Sequence, residues 1–127
     1  MIDIHSHILF GVDDGAGNAE DSLIMAETAA ESGVKQMIMT PHCCAEDGFA
    51  NFNTPELMAK FDSMRKTMEE NEIPLTLHNG MEVFATPRLG EQIDEGKLIT
   101  LAGSKYLLTE FAFGETGDFI EHSIYTV

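Results

Sequence analysis

Basic side chains are scarce: 7 Lys and Arg stand against 22 Asp and Glu, a formal net charge of −15. So acidic a chain is a poor nucleic-acid binder, because the phosphate backbone is held by basic faces. It is also repelled by anionic membrane surfaces. If the substrate is a phosphate ester, bound cations must offset the local negative field. Cysteine is nearly absent. Cys43 and Cys44 are adjacent, and adjacent cysteines rarely pair, so no disulfide framework is expected and a reducing, cytoplasmic location is the default. No Cys-x5-Arg phosphate loop follows them, which disfavours a cysteine-based phosphatase, and both read as loop residues. No apolar run is long enough to span a bilayer. No basic segment followed by an apolar one opens the chain, so neither membrane insertion nor a cleaved leader is expected.

What is present is an alternation of strand and helix. The 127 residues fit one domain with a buried core. Residues 2–8 read as a strand with Ile2, Ile4 and Ile8 on one face and Asp3, His5 and His7 on the other, since side chains alternate with period two. A loop with turn-forming Asp13, Asp14 and Gly15 follows. The spacing predicts a helix over 19–32, capped by Asn18 and stopped at Gly33, with Leu23, Ile24 and Ala30 inward. Residues 34–40 form an apolar run of strand length closed by Pro41-His42. Thr54-Pro55 starts a helix whose Leu57, Phe61, Met64 and Met68 share one face. That methionine stripe reads as core, not as a cofactor site. Residues 75–82 form a third strand. Thr86-Pro87 opens a short helix with Leu89 and Ile93 inward, 98–101 is a short extended piece, 105–110 is a fourth strand, and 118–127 is an amphipathic helix with Phe119, Ile120 and Ile124 on one side. This order implies α/β architecture with a parallel sheet or part of a barrel. The last helix has no cap, glycine or following strand after it, so the chain is expected to be cut short of a barrel that typically needs about 250 residues.

Each of the four strands ends in a potential metal ligand: His5 and His7 on the first, His42 after the second, Glu82 on the third and Glu110 on the fourth. Carboxyl ends of strands on one rim of an α/β barrel are where catalytic groups gather. A single strand-end histidine is more often structural; five candidates at matching positions make a shared site the better reading. Imidazole with carboxylate, and no obligatory thiolate, suits Mn²⁺, Fe²⁺ or Zn²⁺. Adjacent metals in such a site generate hydroxide from water and clamp both oxygens of an in-line displacement at phosphorus, without a Ser or Cys nucleophile. Asp13 reads as a turn former, His78 as an interior polar residue deep in its strand, and His122 as a surface residue.

Ile2-Asp3-Ile4-His5-Ser6-His7-Ile8, Val12-Asp13-Asp14-Gly15-Ala16, Thr40-Pro41-His42, Gly80-Met81-Glu82 and Leu108-Thr109-Glu110-Phe111 occur in an order that resembles the PHP (polymerase and histidinol phosphatase) superfamily. The resemblance covers essentially the whole chain. It is greatest to the bacterial tyrosine-protein phosphatases of capsule and exopolysaccharide biosynthesis, the CpsB/YwqE type, and the opening His-Ser-His-Ile with Val-Asp-Asp-Gly is fairly specific to them. It implies a distorted (β/α)7 barrel, here its N-terminal half with about four parallel strands and flanking helices, over a single domain 1–127 truncated at its C-terminus. It also implies a trinuclear manganese-type centre and, as substrate, phosphotyrosine on a tyrosine kinase that regulates polysaccharide assembly. His5, His7, His42, Glu82 and Glu110 fall on ligand positions of the family, and Asp14 on a loop position near the metals. A later family His in an Ala-His-Pro-Glu-Arg-like stretch, its phosphate-holding Arg and a late Asp-x-His pair have no counterpart in residues 1–127. A site without them is expected to hold metal weakly and turn over poorly. Three rival readings remain: another PHP phosphoesterase such as a histidinol-phosphate phosphatase, an inactive fragment, and a binding module that works as a homo-oligomer.

Overall fold

In the computed structural model, which describes residues 1–126, the chain runs β1 (Ile2–Ser6), α1 (Ala19–Glu31), β2 (Gln36–Met39), β3 (His42–Cys44), β4 (Phe49–Ala50), α2 (Pro55–Glu70), β5 (Thr76–Asn79), β6 (Glu82–Phe84), α3 (Leu89–Asp94), a 3-10 turn over Leu101–Gly103, β7 (Leu108–Glu110) and α4 (Gly117–Thr126). The strands form two sheets, β1-β2-β5 and β4-β3-β6-β7, in which every pair is parallel except β3 with β4.

The second expected strand ends where Pro41 was expected to close it but is followed by a further strand, β3, and the third expected strand is divided. Thr40-Pro41 separates β2 from β3, and Gly80-Met81 separates β5 from β6. The register is kept across the break, with Met39 opposite Asn79 and His42 opposite Glu82. Pro41 has no N–H to give to a ladder, which is why it interrupts the strand. Gly80, in register with Thr40, is glycine because a Cβ there would lie 2.6 Å from the Ile38 Cγ2 methyl. Past the break, His42 and Glu82 pair in a second sheet.

The helices follow from local signals. Asn18 accepts from the Asp21 N–H at 3.0 Å and caps α1, and Gly33 leaves the helix at a φ of +94°. Thr54 accepts from the Leu57 N–H at 3.2 Å, with Pro55 in the first turn of α2. The four-residue stripe of α2 is buried as its spacing requires, and it meets Met37, Met39, Leu77, Met81 and Val83 from the strands. Such packing, with no polar atom to satisfy, holds the strands' ends in fixed positions.

Several expectations about faces and ends are corrected. β1 stops at Ser6, and Ile2 and Ile4 are 58% and 54% exposed whereas Ile8 is buried. β1 is an edge strand with β2 as its sole partner, so the alternation marks a face that nothing described covers. α1 buries Ser22 and Ala26 but leaves Ile24 exposed, because the Ser22 hydroxyl, donating to the Ile8 carbonyl at 2.6 Å, fixes which side turns inward. α3 starts two residues after Pro87, since Thr86 caps a turn there by accepting from the Arg88 N–H at 3.2 Å. The expected extended piece 98–101 forms no strand and its last residue, Leu101, opens a 3-10 turn over Leu101–Gly103, and β7 is confined to Leu108–Glu110. In α4, Phe119 packs on the core but Ile124 is exposed. Residue 127, the expected end of that helix, lies outside the described residues. The hairpin β3–β4 falls where the sequence reads as loop.

Candidate metal centre

Strand ends bring the expected donors to one place. His5 and His7 leave β1, His42 opens β3, Glu82 opens β6 beside it, and Glu110 closes β7. Their atoms converge on Glu82 Oε2, which lies 2.9 Å from His5 Nε2, 3.1 Å from His7 Nε2 and 3.4 Å from His42 Nδ1. His5 Nε2 and His7 Nε2 are 3.2 Å apart. His42 Nδ1 also faces Glu110 Oε2 at 3.7 Å, and its Nε2 faces Asp14 Oδ1 at 3.5 Å. All six candidate residues are therefore linked by a chain of contacts. They form three overlapping trios, His5/His7/Glu82, His7/Asp14/His42 and His42/Glu82/Glu110, each with donor atoms within 4.8 Å.

The donor set fits divalent cations. Three imidazoles and three carboxylates carry three negative charges when the imidazoles are neutral, and one carboxylate oxygen faces three ring nitrogens. Any divalent cations here would be held by these trios, which share His7, His42 and Glu82. His42 rings stack on His7, with centroids 4.4 Å apart, and on Phe49 at 6.1 Å. The chain thus presents a rim of imidazole nitrogens and carboxylate oxygens, with Phe49 stacked behind His42.

Residues read as bystanders are placed as follows. His78 is on β5, where Nε2 pairs with Gln36 Oε1 at 3.0 Å, and it belongs to none of the three trios. His122 is exposed on α4. Cys43 and Cys44 are in β3 rather than in a loop, and both are buried. Burial, helped by the neighbouring Cys44, pushes the Cys43 thiol up to about 12. Burial raises Cys44 as well. Neither is set up to supply a thiolate near neutral pH.

The sequence reading missed three contributors. Asp13 is no mere turn former: its side chain is fully buried, and Oδ2 meets His7 Nδ1 at 2.9 Å and the His42 N–H at 2.8 Å. Asn51 donates to the carbonyls of Val12 and His42, both at 2.8 Å, and ties the loop to β3. Phe49 covers His42 from β4. An Asp beside an Asp in a glycine-bearing loop was the only available hint, and it does not say which carboxylate turns inward.

Comparison with known proteins gives the family. A family model described as capsular polysaccharide synthesis, CpsB/CapC, matches residues 1–127. The chain is 33% identical over 125 residues to the tyrosine-protein phosphatase YwqE of Bacillus subtilis (strain 168), covering 98% of this chain and 48% of that protein. It is 34% identical over 114 residues to the tyrosine-protein phosphatase CpsB of Streptococcus pneumoniae, covering 88% and 45%. The solved structure of a chain described under YwqE from Bacillus subtilis and CpsB from Streptococcus pneumoniae, unique metal-dependent tyrosine phosphatases, matches with a TM-score of 0.89 at 33% identity, over 98% of this chain and 50% of that one. The chain spans about half the length of the curated relatives it matches. Its mixed α/β fold of parallel strands and helices is close to theirs, and with a family model matched from end to end, the chain belongs to the CpsB/CapC family of capsular polysaccharide synthesis.

Proposed function

We propose that this chain supplies the metal-binding part of a metal-dependent protein-tyrosine phosphatase acting in capsular and exopolysaccharide synthesis. The observation that carries the reading is the convergence of His5, His7 and His42 nitrogens on one oxygen of Glu82. Asp14 and Glu110 complete the ligand set on the solvent side. The donors suit Mn²⁺, with Fe²⁺ or Zn²⁺ as alternatives. When bound, adjacent cations would lower the pKa of water and neutralise charge on a phosphoryl group. The residues themselves hold those cations, orient them along the strand ends and keep the back of the site dry. A net charge of −15 makes that neutralisation a requirement for any phosphorylated substrate.

The family context supports phosphotyrosine on a tyrosine kinase of polysaccharide assembly as the substrate, in the cytoplasm. Residues 1–127 act as a single unit, which we assign to the N-terminal half of a PHP-type (β/α)7 barrel. Among the described residues no helix is long and apolar enough to cross a membrane. The test is hydrolysis by a chain completed to the length of the relatives. Phosphotyrosyl peptide is expected to be cleaved only with Mn²⁺ or a similar ion, and in preference to histidinol phosphate. Activity that survives chelation, or a preference for the small monoester, overturns the reading.

A further inference from the structure

The Asp13 carboxylate makes three hydrogen bonds, and only one belongs to a turn. Oδ1 accepts from the Gly15 N–H at 3.0 Å, the ordinary two-residue turn of an aspartate. Oδ2 serves the other two, His7 Nδ1 at 2.9 Å and the His42 N–H at 2.8 Å, with no exposure to solvent. Asp14, the next residue, is by contrast 70% exposed. A buried charge is costly unless donors surround it, and here they come from two histidines that both belong to the rim. The loop around Asp13 is held in place. The Ala16 N–H donates to the His7 carbonyl at 3.1 Å, and a side chain at Gly15 would collide with that carbonyl. The Asp13–His7 contact is therefore set by backbone packing as well as by the pair itself.

An ionised carboxylate only accepts. With Asp13 ionised, the 2.9 Å pairing puts the shared proton on His7 Nδ1. In the neutral ring that leaves the lone pair on Nε2, the atom facing Glu82 Oε2 at 3.1 Å and His5 Nε2 at 3.2 Å. We propose that Asp13 is the positioning residue of the centre: it holds the His7 proton on Nδ1, keeps the Nε2 lone pair aimed into the rim, and anchors the start of β3 so that His42 stays opposite. Its effect on metal rests on the reading above; its hold on the His7 proton does not.

The experiment is imidazole ¹⁵N–¹H NMR at alkaline pH, where imidazoles are neutral, on metal-free and Zn²⁺-loaded protein, with Zn²⁺ affinity measured alongside. In the wild type His7 Nδ1 is expected to carry a protected proton in both states. In Asp13→Ala that signal is lost and affinity falls about 10- to 100-fold, the usual effect of removing a partner behind a ligand. Asp13→Asn falls between, because its single oxygen can serve His7 and His42 while its amide then faces the Gly15 N–H. An unprotonated Nδ1 in the wild type, or Asp13→Ala binding Zn²⁺ as tightly as the wild type, overturns the proposal. The wild-type signal needs no variant, so it decides even where Asp13→Ala fails to fold. A wild type that keeps the proton on Nδ1 yet binds no metal sinks the metal centre and supports the hold of Asp13 on His7.

Discussion

Glu82 opens β6, Glu110 closes the neighbouring parallel strand β7, and both offer the same group, yet their surroundings differ. The Glu82 side chain is 9% exposed and meets nitrogens of three histidines, the farthest at 3.4 Å. That of Glu110 is 41% exposed and faces His42 alone, at 3.7 Å. A buried carboxylate among imidazoles is preorganised, because its partners are locked by the strands behind them and by Asp13. An exposed one must lose side-chain freedom and water when it binds. The inner corner of His5, His7 and Glu82 should accordingly hold a cation tightly, and the outer side of Asp14 and Glu110 more loosely.

Glu82→Gln breaks the comparison most severely, since it removes the anionic oxygen common to two trios. Mn²⁺ affinity by calorimetric titration should fall by more than about 100-fold, beyond the range seen for partners behind a ligand. Glu110→Gln should cost about 10-fold, at the low end of that range, and an equal loss for the two would erase the distinction between inner and outer sites. Asp14→Asn, at the most exposed donor, should cost only a few-fold in the same titration. The smallest effect concerns Cys43, one residue beyond His42. Its folded value near 12 lies above the ordinary 9, so the folded chain holds the thiol proton more tightly than the unfolded one. That stability is fully present below about pH 9 and is lost as pH rises toward 12. Iodoacetamide at pH 8 should label Cys43 only after unfolding; rapid labelling of the native chain would contradict its burial.

Much of the rim was legible because period-two parity and strand ends are local facts. His42, Glu82 and Glu110 each open or close a strand and His5 and His7 flank the last residue of β1, so counting along the chain was enough to align them. The α2 stripe and its Thr54-Pro55 start were legible for the same reason. Coverage was not. Parity places Ile2 and Ile4 together but cannot say that β1 lies on an edge, and the α1 pattern pointed Ile24 inward where Ser22 goes. The division of the third strand at Gly80 was missed because only Pro41 carries a local signal; the need for glycine at 80 comes from Ile38 on the neighbouring strand. Asp13 was misread for a similar reason: its partners lie 6 and 29 residues away.

The most direct test is metal content by elemental analysis after gel filtration, comparing the wild type completed to the length of the relatives with its His5→Ala/His7→Ala variant. The wild type should retain bound Mn²⁺ or a similar divalent ion and the double variant none, with both giving the same circular-dichroism spectrum. Equal metal in the two folded proteins, or none in the wild type, would contradict a metal centre built on the opening histidine pair.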